Sequence, residues 1–438
     1  MGYIDKYETI LASAPALIAQ AKEKGRMPAF GFTSNLDIVL HWDVKTYQTI
    51  LDDFLQAEPS FEVGEEIRSM EDFARISAYF LKNGLGGNFD ITESTVCDYL
   101  RERFSTELAL GGTAAQGCAA LGAMGFSVNV HITDACREVC DLMDYEGTET
   151  VTEKGVVPLP DAASGEMPVA HFILQFPKGD IIRIGEEEIA IPSSNRMILF
   201  YDRMQKEVPF DEAFFTYWES GTAHPASLLF SGFDAVIDEK VAAKKIDRME
   251  VFLHRIREHT PGVKAYLEGA FYMNPNVKEM LFARLGPQVN IVGMNEEELA
   301  AQLALLGKEA ALDYMNGILE ALEELFAVFS FRGVILHSKD YALYYGEKME
   351  DCDIEAGLTM GNLMAATRAR IGRYGTQKEA KESLKIPLSK TGLRLYEEAE
   401  TIRADRECVL VPARALEHPK YTIGLGDTFV AGVHTCFI

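Results

Sequence analysis

Ser227-Leu228-Leu229-Phe230 opens a pattern that the chain then repeats. A short apolar run is followed by a segment of helical length, and another short run follows. Gly262 to Leu267, Val289 to Gly293 and Gly333 to His337 read as further strands, and Val409 to Pro412 as the last one. Residues 239–259, 275–285, 295–330 (with a break near Gly307) and 349–373 read as helices. Strands alternating with helices predict βαβ units, a mostly parallel sheet flanked by helices, and ligands beyond the carboxyl ends of the strands. The fold class is therefore α/β.

Upstream, residues 3–24 read as an amphipathic helix interrupted at Pro15, and Met27 to Leu40 as strand, loop, strand. Helical patterns follow near 45–57, 71–82 and 92–104, and Gly111-Gly112 precedes a helix over Ala114 to Met124. Phe126 to Ile132 is strand-like, and 145–168 reads as loop or edge structure. Short alternating runs between Pro168 and Phe200 predict a small β-rich unit. The charged segment Arg373 to Ser389 reads as a surface loop.

Downstream, the last strand leads into Tyr421-Thr422-Ile423-Gly424-Leu425-Gly426-Asp427-Thr428-Phe429-Val430-Ala431-Gly432. Gly424 and Gly426 make a tight turn that allows close backbone approach. Asp427 then opens a helix, so bare N–H groups and a positive helix end stand beside one carboxylate. Such amides bind phosphate or a developing oxyanion, and the carboxylate can take a proton from a hydroxyl. That is the minimal equipment for phosphoryl transfer to an alcohol. An acid in the first turn of a helix after a glycine turn is also common without any function.

Composition narrows the class. The 438 residues exceed one simple core, which predicts one large and one smaller domain. Hydrophobic residues make up 47% and charged residues 25%, an ordinary globular balance. Formal net charge is −25, which disfavours nucleic acid or anionic lipid as partner. No stretch is long and apolar enough to span a membrane, and the acidic N-terminus is no signal peptide. Seven cysteines read as reduced thiols, which predicts a cytoplasmic protein.

Four further clusters sit at predicted strand ends or turns. In Gly31-Phe32-Thr33-Ser34-Asn35-Leu36-Asp37, extended backbone points Asn35 and Asp37 the same way, an amide and a carboxylate suited to sugar hydroxyls. Taken alone, the stretch reads better as a plain turn-forming pair. Gly111-Gly112-Thr113-Ala114-Ala115-Gln116 allows close approach of a ligand or of a neighbouring strand. Glu268 ends the run Tyr266-Leu267-Glu268 and faces the ligand crevice of a parallel sheet. In Asn295-Glu296-Glu297-Glu298, Asn295 caps a helix and Glu298 stands three residues on. Glu268 and Glu298 can hold Mg²⁺ through water when phosphates supply the remaining ligands. Cys136, Cys140 and nearby His131 lack a second pair to complete a metal site, and Glu186-Glu187-Glu188 reads as a solvated hairpin turn.

Taken in order, these clusters resemble the ADP-dependent sugar kinases, the glucokinase and phosphofructokinase family within the ribokinase-like fold, from Gly31 to Ile438. Asn35-Leu36-Asp37 resembles the family's sugar-binding N-x-D, and Gly111-Gly112 its glycine pair. Asn195-Arg196-Met197-Ile198 resembles a segment whose arginine reaches the transferred phosphate, with Met197 where an aromatic is usual. Ser231-Gly232-Phe233 resembles its S-G-[LF] turn, and Asn295 to Glu298 its NxxE. Gly424 to Asp427 resembles its GxGD, with Asp427 the catalytic base. Val411-Pro412 and His418-Pro419 resemble the chain that runs into that loop. Only residues 428–438 follow Asp427, which resembles the permuted order of this family, with the adenine pocket built from upstream chain.

The resemblance implies a ribokinase-like large domain (1–37, 109–165 and 201–438) and a smaller β-rich lid (38–108 and 166–200). It implies transfer of the β-phosphoryl group of ADP to glucose or fructose 6-phosphate in carbohydrate metabolism, with Mg²⁺ and release of AMP. Substrate would lie in the cleft, and lid closure would expel water. Sugar contacts fall to Asn35, Asp37, Gly111 and Gly112. Nucleotide contacts fall to Thr422, Gly424, Leu425, Gly426, Asn295, His337 and Val411. Transfer falls to Asp427, Gly424, Gly426 and Arg196, and metal binding to Glu268 and Glu298. Three departures stand out: Tyr266 replaces a histidine, Thr113 replaces Gln or Asn, and Thr428 to Gly432 resembles ATP-dependent ribokinases. ATP as donor on the same fold is thus the alternative. A non-catalytic sensor of nucleotide and sugar is another, though a sensor has no need of Asp427.

Overall fold

The structure, a computed structural model, describes residues 3–164, 170–202 and 204–438. Leu228, Leu229, Leu267, Val292, Val334 and Leu336 are all buried to within 1% of full burial, so their strands are covered on both faces. That is why they read as continuous apolar runs rather than alternating ones. Each such side chain removed from water contributes roughly 1.5–3 kcal/mol.

Two compact units share the chain. The larger takes residues up to Ser34, Gly112–Ser164 and Gln205–Ile438, and the smaller takes Asn35–Gly111 and Gly165–Met204. The smaller unit therefore starts at Asn35, three residues before the expected 38, because Asn35–Leu40 is one unbroken strand. Pro168 and the start of the expected 166–200 segment lie outside the described residues.

Among the described residues the larger unit holds a ten-stranded sheet. Its order is Glu407–Pro412, Tyr341–Gly346, Gly333–His337, Ile291–Asn295, Lys264–Glu268, Ser227–Phe230, Ala29–Gly31, Val128–Val130, Thr148–Thr152, Gly155–Pro158. The strands from Gly333–His337 to Thr148–Thr152 run parallel to their neighbours. Both edges are antiparallel, at Tyr341–Gly346 with Glu407–Pro412 and at Gly155–Pro158. The smaller unit has a five-stranded sheet, ordered Gly87–Asp90, Asn195–Tyr201, Ala170–Phe176, Asn35–Leu40, Thr106–Gly111, and a hairpin of Ile181–Ile184 with Glu187–Ala190.

Several elements differ from the sequence reading. Helix Tyr3–Glu23 runs straight through Pro15, whose missing amide lies on the exposed side. Tyr341–Gly346 is a buried strand that returns from Gly333–His337 through a tight turn. Within the expected loop Arg373 to Ser389, Gln377–Ser383 is a helix with a Thr376/Glu379 capping box. Gly87–Asp90 and Thr106–Gly111 are strands on either side of the helix Ser94–Arg103.

One helix contact positions the C-terminal turn. Helices Ile354–Ile371 and Leu425–Val433 cross at Gly361 and Gly432, where a Cβ on Gly432 would lie 2.5 Å from Gly361 Cα. Backbone meets backbone there, so neither glycine admits even alanine without displacement.

Candidate active site

The Gly424 turn belongs to the larger unit. Gly424 caps helix Leu425–Val433 in the left-handed conformation (φ 65°, ψ 22°). The Thr428 amide donates to the Gly424 carbonyl at 3.1 Å, which leaves the amides of Leu425, Gly426 and Asp427 outside the helical ladder. Bare amides at a positive helix end form an anion site, with the Asp427 carboxylate in the same turn.

Two buried side chains that the sequence reading did not assign hold this turn. Arg368 donates through Nη1 to the Gly424 carbonyl and to Thr428 Oγ1, both at 2.9 Å, and lies against the rings of Tyr374 and Tyr421. Gln116 donates through Nε2 to Asp427 Oδ2 at 2.8 Å. Gln116 closes the quoted stretch Gly111 to Gln116, where it is the lone polar side chain of an otherwise apolar helix, Thr113–Met124, after its first residue. That isolation was the available signal.

A second cluster forms where adjacent parallel strands end. Glu268 closes Lys264–Glu268, Asn295 closes Ile291–Asn295 and His337 closes Gly333–His337. His337 Nε2 lies 3.1 Å from Glu268 Oε1. Burial pushes the Glu268 carboxyl up, and Glu298 and Asp427 add to this while His337 opposes it. Burial acts to lower the His337 imidazole, yet the bond to Glu268 and the charges of Glu298 and Asp427 leave it raised. The Tyr266 hydroxyl beside Glu268 is pushed well up by burial and by that charge.

The fit of a divalent cation turns on Glu268 and Glu298. Glu268 Oε2 is buried and has no hydrogen-bond partner among the described residues. Glu298 is the third residue of its helix and completes a capping box: Oε2 accepts from the Asn295 amide at 3.1 Å and Oε1 from Asn295 Nδ2 at 2.8 Å. This is the capping arrangement that the spacing of Asn295 and Glu298 allows. Among the described residues no three His, Cys, Asp or Glu side chains are grouped to hold a metal by themselves. Cys136 and Cys140 are buried thiols, and Cys136 caps a helix. Two carboxylates, one with an orphaned oxygen, fit a cation whose other ligands are water and phosphate.

Beside these groups lies a cavity of about 340 Å³. Asn295, His337, Leu425 and Gly426 line it, over a floor that includes Ala366 and Phe429. Thr422 and Val411 are not among its lining residues. Thr422 is exposed in the loop before Gly424. Val411 is fully buried in the edge strand, so its side chain is core, and its carbonyl accepts from Asn362.

In the smaller unit Asn35 and Asp37 are buried neighbours on one side of their strand, and Asn35 Nδ2 donates to Asp37 Oδ1 at 2.7 Å. His171, from Ala170–Phe176, places Nδ1 at 3.0 Å from Asn35 Nδ2 and Nε2 at 2.9 Å from Asp202 Oδ2. With Nε2–H donating to Asp202, Nδ1 is left to accept from Asn35. A Cβ on Gly111 would fall 2.0 Å from Asn35 Nδ2, so the pair requires glycine there. Gly112 falls in the larger unit, with φ 83°. Arg196 stands exposed on the same sheet as Asn35, opposite Gln175. His171 was missed because it is one polar residue in an apolar run, and Asp202 because it opens the polar stretch that runs on to Glu207.

Residues 26–434 match the family model described as the ADP-specific phosphofructokinase/glucokinase conserved region. The ADP-specific phosphofructokinase of Pyrococcus abyssi is 24% identical over 93% of this chain and 96% of its own length. The ADP-dependent glucose/glucosamine kinase of the same organism is 23% identical over 97% and 96%. A crystal structure of a hypothetical ADP-dependent phosphofructokinase from Pyrococcus horikoshii superposes with a TM-score of 0.78, at 21% identity, over 94% of this chain and 98% of its own. No helix among the described residues is long and apolar enough to cross a membrane. With a bare-amide turn beside a carboxylate in the larger unit, and a match over nearly its whole length, the chain belongs to the ADP-specific phosphofructokinase/glucokinase family.

Proposed function

We propose that this ADP-dependent sugar kinase moves the β-phosphoryl group of ADP to a hydroxyl of a hexose or hexose phosphate and releases AMP, with Asp427 as base. The observation that carries the reading is the Gly424 turn, where three amides outside the helical ladder and one carboxylate share a single helix start. Asp427 takes the proton of the acceptor hydroxyl, and the amides of Leu425, Gly426 and Asp427 hold charge on the moving phosphoryl group. Arg196 adds a cation to that group. Positioning and electrostatics supply most of the rate.

The adenosine part of ADP occupies the cavity beside His337 and Phe429, and Asn295 and His337 supply its polar contacts. Glu268 and Glu298 would hold Mg²⁺, which would supply positive charge opposite the donor phosphates. Asn35, Asp37 and His171 hold sugar hydroxyls, with Gly111 ending the segment that Asn35 opens and Gly112 following it, and the smaller unit acts as a lid. The enzyme works in the cytoplasm. The relatives named above are a phosphofructokinase and a glucose/glucosamine kinase at nearly equal identity, so the acceptor is a hexose or a hexose phosphate. Glucose, glucosamine and fructose 6-phosphate with Mg·ADP or Mg·ATP, read by AMP or ADP release, test the reading. Turnover with ADP and one of these acceptors is expected, and turnover with ATP alone would overturn it.

A further inference from the structure

The geometry points to Gln116 as the positioning residue of the phosphoryl-transfer base, an inference that rests on the reading of Asp427 above. Gln116 is 5% exposed and comes from helix Thr113–Met124, whereas Asp427 lies in the first turn of helix Leu425–Val433. The Gln116 amide uses both of its ends. Nε2 donates to Asp427 Oδ2 at 2.8 Å. Oε1 faces the glycine turn, where a Cβ on Gly424 would lie 1.8 Å from it, and accepts from the Tyr374 hydroxyl at 3.5 Å. The reversed amide would set a carbonyl oxygen against a carboxylate oxygen, so the donor end is the one that meets Asp427.

A carboxylate base offers two oxygens, and rotation about its last torsion exchanges them. Donation by Gln116 marks Oδ2 as the structural oxygen and leaves Oδ1 to take the hydroxyl proton. The bond suits both halves of the reaction: Oδ2 accepts from Nε2 when Asp427 is ionised, and still accepts when the proton sits on Oδ1. An amide does this without adding charge. A carboxylate at 116 would repel Asp427, and an apolar side chain would leave Oδ2 without its donor in a half-buried site. The proton balance is that of the proposed reaction: the hydroxyl O–H breaks, Asp427 Oδ1 gains the proton, and the hydroxyl oxygen forms the new P–O bond.

The test is a double-mutant cycle of Gln116→Leu and Asp427→Asn, with Gln116→Glu as the variant closest in shape. Gln116→Leu should lower kcat by about 10- to 100-fold, the worth of one hydrogen bond to a charged group, with KM for sugar and ADP changed less than about twofold. In the Asp427→Asn background the same change should alter the residual rate by less than about twofold, because the group it positions is gone. Gln116→Glu should lose at least as much kcat as Gln116→Leu while keeping the thermal midpoint near that of the parent. An equal loss in both backgrounds, or a change confined to KM, would mark Gln116 as structural and overturn the inference. Near-parental turnover of Asp427→Asn alone would instead remove the base itself, and the inference with it.

Discussion

Glu268 and His337 meet across a strand that places no side chain between them. They end the two strands that flank Ile291–Asn295, and residue 293 of that strand is glycine. A Cβ on Gly293 would lie 2.0 Å from Glu268 Oε2 and 2.1 Å from the Tyr266 hydroxyl. The missing side chain is what lets the carboxylate and the imidazole come within 3.1 Å.

Gly293→Ala is therefore expected to cost about 1–3 kcal/mol, the usual penalty of overpacking, and to lower kcat by displacing Glu268. Thermal unfolding and steady-state rates on the same sample check both. A variant with parental stability would show that the strands yield without cost.

Asp427→Asn keeps the shape of the turn and still accepts from Gln116 through its carbonyl. It should lose roughly 10²–10⁴ in kcat, the usual worth of a general base, with ADP affinity by calorimetry little changed. Loss of ADP binding instead would show that Asp427 is needed for the phosphate site rather than for proton removal.

Glu268→Gln and Glu298→Gln should each raise the Mg²⁺ concentration for half-maximal rate, by roughly tenfold for one charge-assisted contact. Glutamine at 298 can keep the capping box, so a metal effect there is not a folding effect. Glu297 is exposed, and Glu297→Gln should leave the Mg²⁺ dependence unmoved. Equal behaviour of all three would remove the metal assignment.

Two buried histidines set an acid limit on stability. Burial lowers His131 to about 4 and His434 to about 3, from an ordinary value of 6.5. Both fold neutral, and the unfolded chain takes up protons first. Stability is therefore full above about pH 6.5 and falls as pH drops toward 4, by up to about 1.4 kcal/mol per pH unit for each histidine. His434 Nδ1 lies 2.7 Å from Ser227 Oγ, and His434→Gln can keep a polar contact there while removing one titration. Urea midpoints between pH 7 and 5 should fall less steeply in that variant than in the parent.

The α/β reading of the larger unit rested on strands buried on both faces, which leave long apolar runs. Where burial and charge mislead, elements went unseen. Tyr341–Gly346 is apolar throughout and lies a few residues after another strand, so its turn was the weak cue. Gln377–Ser383 is charged because only Ala380 and Ser383 face inward, and the same Glu and Lys residues that suggested a loop are good helix formers. Asp427, Glu268 and Asn35 were legible as candidates because each stands at the boundary of a helix or strand. Gln116 and His171 were not, because their meaning lies in partners far away along the chain: Gln116 bonds Asp427 and His171 bonds Asp202.

Ala29–Gly31 lies between Val128–Val130 and Ser227–Phe230 in the large sheet. During synthesis its first partner appears early, but Leu228, which pairs with Ala29, is made only after the entire smaller unit. Until then one edge of the growing sheet stays open, the condition that invites pairing with another nascent chain. After Ser227–Phe230, each strand of the sheet up to Glu407–Pro412 pairs with the strand made just before it, so this half can zip up in the order of translation. Chains stalled at Ser220 should accordingly be cleaved faster by protease and recruit more holdase chaperone than chains stalled at Leu306.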